Sequence, residues 1–239
     1  MSVKIKRLGH STILVETASG LKFIFDSWLE SNPNAVYDEA DLEGLDAILV
    51  THGGFDHLGD AVPLAKRTGA HIFCGGDVMD YALYHGIPRE QITPMVWGSC
   101  SPYRGIQIHS IEAKHISSLM VGEHKITGIP MSFIVNLEDG TGLYFAGDTA
   151  IYSDMALYGR LYGPVNIGFF CMYNLDGYPY EMTAKEAAMA ANLFDVEVAI
   201  PIHYPRGNTE YPPEFCRELS AHAPRARALI LEAGESAEL

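Results

Sequence analysis

A short segment around residue 52 gathers three side chains of the types that bind transition metals. Residues 51–60 read THGGFDHLGD and follow an apolar run over residues 46–51 that predicts a buried strand. His52, Asp56 and His57 therefore lie on a glycine-containing turn before a predicted helix, where they can converge on one point. Imidazole and carboxylate together suit zinc, manganese or iron. The alternative is that His52 ends a strand and Asp56 caps a helix.

Three more residues of ligand type occur later in the chain. His115, Asp148 and His203 each lie at or just beyond the end of a predicted strand. Strand ends at one edge of a sheet are where a rigid scaffold can present functional groups. One such histidine would be unremarkable, whereas this set of six is hard to obtain by chance. The sequence therefore predicts that all six side chains meet around one or two cations.

The elements that must position these residues follow the pattern of an α+β fold. Strands are predicted over Val3–Leu8, Thr12–Glu16, Leu21–Asp26, Asp46–Thr51, Ala70–Cys74, Ile106–Ile111, Met131–Leu137, Leu143–Ala146, Val165–Cys171, Val198–His203 and Ala226–Leu231. Helices are predicted over Leu58–Arg67, Val78–His85, Thr183–Phe194 and Pro213–Ala221. Early consecutive strands followed by alternation favour two packed sheets with helices outside, and a three-layer α/β fold is the alternative.

Length alone allows one large domain or two small ones, and the absence of a repeat or linker predicts one domain over residues 1–239. The 239 residues are 48% hydrophobic, enough for a sizeable core, and no repeat or linker-like tract interrupts them. The chain has no apolar run of the ~20 residues that a membrane span needs. Its N-terminus alternates apolar and polar residues like a strand rather than a signal peptide. The four cysteines lack metal-site spacing, and without an export signal they are expected to be reduced thiols in a cytoplasmic protein.

The excess of acidic residues limits which kinds of partner the protein can bind. Sixteen basic and 30 acidic residues give a formal charge of −14, which disfavours nucleic acid and anionic membranes as partners. A small-molecule substrate held by metal ions remains compatible, because the ions reverse the local field. Helical spacing over Tyr152–Tyr162 fits either a core contact or a subunit contact, so a homo-oligomer stays open.

Five segments of the chain, in order, resemble the metallo-β-lactamase superfamily. Within it the chain is similar to the UPF0173-like metal-dependent hydrolases related to L-ascorbate-6-phosphate lactonase. The matching segments are Gly9-His10-Ser11, residues 51–60, His115-Ile116-Ser117-Ser118, Ala146-Gly147-Asp148-Thr149 and Pro201-Ile202-His203-Tyr204. They span most of the chain. The resemblance implies a four-layer αββα sandwich with the metal site at one edge.

The resemblance also implies roles for the ligand-type residues. The family motif is usually H-x-H-x-D-H, and Gly54 stands at its middle histidine. Two sets of ligands, with Asp148 in both, carry over: His52, His115 and Asp148 for a first metal, and Asp56, His57, Asp148 and His203 for a second. Because glycine offers no ligand, the second position is expected to fill first. The cofactor is one or two divalent ions, with zinc favoured and manganese or iron as alternatives.

The implied activity is hydrolysis of a small ester, lactone or phosphoester through a metal-bound hydroxide. Asp56 would bind metal and orient the nucleophile, and His10 would donate a hydrogen bond near the substrate or serve as a buried structural histidine. The alternatives are a nucleic-acid phosphodiesterase or nuclease, and a degenerate member that binds a metal or metabolite without turnover. Residues 171–174 are a second departure from the family pattern, and together with Gly54 they argue against assigning a relative's substrate to this chain.

Overall fold

Within residues 3–172 and 180–239, which the computed structural model describes, the chain forms two seven-stranded sheets, a separate hairpin and seven α-helices. Tyr173 and Asn174, part of the second departure from the family, lie outside the described residues. In the described ranges, no helix combines the length and the apolar character needed to cross a bilayer.

The strands, numbered in chain order, are β1 Lys4–Gly9, β2 Thr12–Glu16, β3 Lys22–Phe25, β4 Ala47–Leu49, β5 His71–Cys74, β6 Ile92–Pro94, β7 Cys100–Tyr103, β8 Ile106–Glu112, β9 Ser117–Val121, β10 His124–Gly128, β11 Met131–Asn136, β12 Gly142–Phe145, β13 Ile167–Cys171, β14 Val198–Ile202, β15 Arg227–Ala228 and β16 Ser236–Glu238. The helices are α1 Glu39–Leu42, α2 Phe55–Leu58, α3 Ala61–Thr68, α4 Gly76–Tyr84, α5 Met155–Tyr162, α6 Ala184–Phe194 and α7 Tyr211–His222. A 3-10 turn covers Arg89–Gln91.

The chain divides into two compact units. The first comprises Met1–Trp97, Ile116–Met131 and Leu231–Leu239. Its sheet has the order β16-β1-β2-β3-β4-β5-β6. The pairs from β16 to β3 are antiparallel and those from β3 to β6 are parallel. Alternate strand residues such as Leu14, Ile24 and Ile48 build one core with the apolar faces of α3 and α4.

Neighbouring parallel strands in this sheet end at one edge. Because β3 and β4 run parallel, the residues that follow each strand, Asp26 and residues 50–52, lie side by side. The Asp26 N–H donates to the Leu49 carbonyl at 3.0 Å, and the Val50 N–H donates to the Phe73 carbonyl at 2.9 Å. The sheet therefore delivers the ligand-type residues after β4 next to the end of β3.

The second unit comprises Gly98–His115 and Ser132–Ile230. Its sheet has the order β15-β14-β13-β12-β11-β8-β7, with parallel pairing from β12 to β15. Every residue of β12, β13 and β14 is buried, as expected for strands whose sheet is covered on both faces. The helix α6 begins with a capping box, in which Thr183 and Glu186 satisfy each other's backbone N–H groups.

Two predicted elements differ from the structure, and a hairpin was not predicted. The helix predicted over Leu58–Arg67 begins three residues later, as α3, and Leu58 instead ends the separate short helix α2, with Gly59 between the two helices. Gly59 has φ +42°, and a Cβ there would lie 2.5 Å from the Ser27 carbonyl oxygen, so the chain turns sharply where only glycine fits. The strand predicted over Ala226–Leu231 shrinks to β15. The hairpin of β9 and β10 was not predicted, because its half-buried residues lack a clear apolar alternation.

Candidate functional site

The first unit places His52, Asp56 and His57 on the turn between β4 and α3. Gly54 precedes α2 with an ordinary extended backbone, φ −59° and ψ 142°. Its carbonyl accepts the N–H groups of His57 at 3.1 Å and of Leu58 at 2.8 Å. This single helical turn sets Asp56 and His57 beside His52, whose ring centroid lies 4.2 Å from that of His57.

A buried carboxylate orients His57. Oδ2 of Asp26 lies 2.6 Å from Nδ1 of His57, and both side chains are fully buried. The same carboxylate accepts the Thr51 backbone N–H at 2.8 Å and the Thr51 hydroxyl at 2.8 Å. A histidine whose Nδ1–H donates to a carboxylate presents Nε2 as the ligand atom, and such outer partners fix ring orientation and raise ligand basicity.

Sequence reasoning missed Asp26 as a functional residue. The available signal was an ionisable residue at the end of an apolar strand, the same signal that identified Asp148. Asp26 has φ +42°, a conformation that non-glycine residues adopt rarely and that clusters at functional sites. His10 and His203 share it, with φ +47° and φ +67°.

His10, predicted to act near the substrate or as a buried structural histidine, lies beside the Asp56 carboxylate. Nε2 of His10 is 3.4 Å from Oδ2 of Asp56, and Nε2 of His57 is 3.7 Å from the same oxygen. The fully buried Arg7 holds the tight turn in place, since its Nε donates to the His10 carbonyl at 3.3 Å. His10 can therefore exchange a hydrogen bond with Asp56 or with a molecule bound there.

The space beside Gly54 is taken by His52. A Cβ on residue 54 would lie 2.6 Å from Nε2 of His52 and 3.2 Å from Oδ1 of Asp56. A side chain at residue 54 of this chain would therefore require the His52 ring to move.

Gly53 is tied to the hairpin by a buried polar chain. The Gly53 N–H donates to the Ser117 hydroxyl at 2.9 Å, and that hydroxyl donates to Oδ2 of Asp77. All three residues are buried, and a Cβ at Gly53 would lie 2.6 Å from the Leu119 side chain. The hairpin thus fixes the backbone between His52 and Gly54 through Ser117.

The second unit brings together its own three ligand-type residues. Oδ2 of Asp148 lies 3.2 Å from Nε2 of His203 and 3.7 Å from Nε2 of His115. The loops that carry them are linked, because the Lys114 N–H donates to the Thr149 hydroxyl at 2.8 Å. Asp148 and His203 are buried. The carboxylate is thus central to this group.

The spacing of these donor atoms fits a shared cation. Two ligands at about 2.0–2.1 Å from a tetrahedral ion lie about 3.3–3.4 Å apart. The imidazole–carboxylate distances within the units are 3.2, 3.7 and 3.7 Å, close to that tetrahedral edge. The donor set of nitrogen and carboxylate oxygen also suits zinc and its neighbours in the first transition series.

The buried cysteines do not belong to the donor set. Burial raises the pKa of the Cys74 and Cys171 thiols well above the usual range, so both remain protonated thiols, whereas metals bind the thiolate. Cys171 instead approaches the Thr149 carbonyl at 3.6 Å. The four cysteines are free thiols, and core packing accounts for these two.

Comparison with known proteins identifies the superfamily to which the fold belongs. A family profile described as Beta-lactamase superfamily domain matches residues 12–204. The metallo-β-lactamase fold protein YhfI of Bacillus subtilis matches with a TM-score of 0.74 at 14% identity, covering 100% of both chains. The predicted α+β fold of the metallo-β-lactamase type is confirmed. This chain has the fold of that superfamily.

Two further proteins narrow the assignment. The UPF0173 metal-dependent hydrolase of Rubrobacter xylanophilus is 36% identical over 231 residues, which are 96% of this chain and 91% of the relative. Igni18, a metallo hydrolase from the archaeon Ignicoccus hospitalis, matches with a TM-score of 0.83 at 26% identity, covering 100% of this chain and 99% of the other. This chain belongs to the UPF0173 family of metal-dependent hydrolases, so its assignment as a metal-dependent enzyme is confirmed.

Proposed function

We propose that the chain hydrolyses a small ester, lactone or phosphoester with one or two divalent ions. The two ligand groups, His52, Asp56 and His57 in one unit and His115, Asp148 and His203 in the other, together provide the protein ligands. The observation that carries the proposal is the imidazole–carboxylate spacing of the His57–Asp56, His115–Asp148 and His203–Asp148 pairs, which is close to the edge of a metal coordination tetrahedron. Family membership supports the same conclusion.

A divalent ion supplies Lewis acidity and lowers the pKa of its water from 15.7 to about 7. The chain's own residues would orient the attacking water and accept its proton. Asp56 is the residue to hold the attacking water, and His10, 3.4 Å away, is placed to pass a proton to or from that carboxylate. Asp26 keeps His57 in the tautomer that binds metal.

Zinc is the proposed ion, and the position served by Asp56, His57, Asp148 and His203 is the one that fills first. That position retains every ligand that the family resemblance assigns to it, whereas the other lacks the histidine replaced by Gly54. His52 also lies in the space beside Gly54. A single tightly bound ion, with weaker binding of a second, follows from this difference.

We further propose a cytoplasmic enzyme whose partner is a small molecule. Four free thiols fit a reducing compartment, and the formal charge of −14 disfavours nucleic acid and anionic membranes. If the chain forms a homo-oligomer, the exposed apolar residues Leu157 and Leu161 of α5 are the proposed contact surface.

A second candidate function is metal or metabolite binding without turnover. The absence of a side chain at Gly54 favours it, because the first metal position then has only three proposed protein ligands, His52, His115 and Asp148. A panel of esters, lactones and phosphodiesters, assayed with zinc-, manganese- and iron-loaded protein, separates the two. Metal-dependent cleavage that Asp148→Ala abolishes supports the hydrolase. Stoichiometric metal with no cleavage of any class supports the binding protein.

A further inference from the structure

Three rings form an arc beside the Asp56 carboxylate, and we propose that this arc selects substrates that carry an apolar group next to the bond that is hydrolysed. The aromatic arc consists of Phe55, Trp28 and His10. The inference rests on the proposed hydrolase function and specifies its substrate class. The favoured substrates are esters or lactones with an aliphatic or aromatic substituent.

The arc begins and ends at Asp56. Phe55 precedes Asp56 in the chain, and its ring centroid lies 5.5 Å from that of Trp28 at 84°. The Trp28 ring lies 5.3 Å from that of His10 at 89°, and His10 returns to Asp56 at 3.4 Å. Edge-to-face contacts of this kind are favourable aromatic geometries. The ring contacts therefore lead from the Asp56 carboxylate through His10 and Trp28 to Phe55.

Phe55 leaves an apolar surface open beside two ligand-type residues. Its side chain is 76% exposed, although its neighbour His57 is fully buried. A single exposed aromatic residue on a protein surface needs no special explanation. Phe55 differs because a second ring, Trp28, backs it and because the next residue is Asp56. A substituent that covers Phe55 would remove apolar surface from water at the point where substrate must sit.

The loop that carries Trp28 is fixed to the helix that carries Asp56. The Ser27 N–H donates to the His57 carbonyl at 3.0 Å, and the Asp60 N–H donates to the Ser27 carbonyl at 2.7 Å. A Cβ at Gly59 would lie 2.6 Å from the Cα of Trp28, so the two segments are in direct backbone contact. The arc is therefore preorganised, which lowers the entropy cost of binding.

The polar end of Trp28 is already satisfied within the loop. Its Nε1 donates to the Ser31 hydroxyl at 2.7 Å, which leaves the indole to act as an apolar surface. The formal charge of −14 also disfavours a substrate whose substituent is anionic. Both observations favour a hydrocarbon substituent over a charged one.

The test is a chain-length series of p-nitrophenyl esters, from acetate to hexanoate, with the metal-loaded protein. We expect kcat/KM to rise about twofold per methylene, the effect of half-burying each group. Phe55→Ala should flatten this rise, and Phe55→Leu should keep most of it. Tyr84→Ala is the matched control, because Tyr84 is an aromatic residue 61% exposed at the end of α4 in the same unit. It should leave the rise unchanged.

A binding measurement separates the arc from the proposed function. Straight-chain carboxylates of the same lengths are titrated against the metal-loaded Trp97→Phe protein, in which Trp28 is the remaining tryptophan and is excited selectively. Affinity that grows with length and depends on Phe55 supports the arc even if no ester is cleaved. Ester cleavage with a length dependence that Phe55→Ala does not alter overturns the arc and leaves the hydrolase proposal standing. If neither the affinity for carboxylates nor kcat/KM for esters changes with chain length, the proposed role of the arc is also overturned.

Discussion

Asp26 and His57 form a fully buried carboxylate–imidazole pair, with Oδ2 and Nδ1 2.6 Å apart. The Asp26 carboxylate also receives the backbone N–H and hydroxyl of Thr51, so one side chain at the end of β3 links the end of β4 to α2. In a metal enzyme this pair fixes which nitrogen of His57 is the ligand.

Asp26→Asn tests this role. The amide cannot accept from all three donors, so we expect metal affinity to fall about 10–100-fold and the free energy of unfolding to fall by about 1–3 kcal/mol. Chelator competition and denaturant unfolding measure the two effects. The control is Asp46→Asn, which alters a carboxylate that accepts the Lys22 N–H at 2.9 Å. Equal metal affinity in the two variants would contradict the role.

Ser117→Ala removes the hydroxyl that joins Gly53 to Asp77. Because the buried Gly53 N–H and the Asp77 carboxylate both lose a partner, we expect a loss of about 1–3 kcal/mol in the free energy of unfolding. Metal affinity should fall as well, since the backbone beside His52 loosens. Ser118→Ala, at the next residue of β9, is the control. The assignment fails if both variants bind metal like the parent protein.

Gly54→His tests the ligand assignment from the opposite direction. The backbone of Gly54 is compatible with any residue, but a Cβ displaces the His52 ring. Gly54→Ala introduces that displacement without a ligand, whereas Gly54→His introduces both. We expect Gly54→His to bind more of a second equivalent of metal than Gly54→Ala in elemental analysis after dialysis. If the two bind the same amount, residue 54 is not a ligand position in this chain.

His71 should make stability depend on pH. Burial lowers the pKa of His71 below its ordinary 6.5, so the unfolded chain takes up a proton that the folded protein refuses. The contribution of neutral His71 to the free energy of unfolding is fully present above pH 6.5 and is lost as the pH falls through the lowered pKa. We expect the free energy of unfolding to fall less between about pH 7.5 and about pH 5 in His71→Gln than in the parent protein. An unchanged fall in His71→Gln, equal to that of the exposed His124→Gln control, would contradict this.

Much of the fold followed from periodicity in the sequence. Buried strands such as Thr12–Glu16 were predicted at their observed bounds, because a continuous or alternating apolar run carries its own signal. The break at Gly59 was not predicted. Its cause is the backbone of Ser27 and Trp28, which is distant in sequence, and local spacing contains no information about such contacts.

Local sequence patterns also identified candidate site residues, but not those whose placement depends on contacts distant in sequence. His10 and Asp56 were assigned together and lie 3.4 Å apart, while the joint role of all six ligands stays a prediction. Asp26 was missed because its function depends on pairing between β3 and β4, which the sequence does not specify. Phe55 and Trp28 were also missed, since exposure at a turn depends on how the loop after β3 packs.

The most direct measurement is the metal content of the untagged protein after dialysis, for the parent chain, Asp148→Ala and the exposed-site control His124→Ala. We predict about one tightly bound divalent ion per chain in the parent and the control. Asp148→Ala should lose it, because Asp148 belongs to both proposed metal positions. A parent protein without metal that also fails to bind it on loading, or an Asp148→Ala variant that keeps the full ion, would contradict the account.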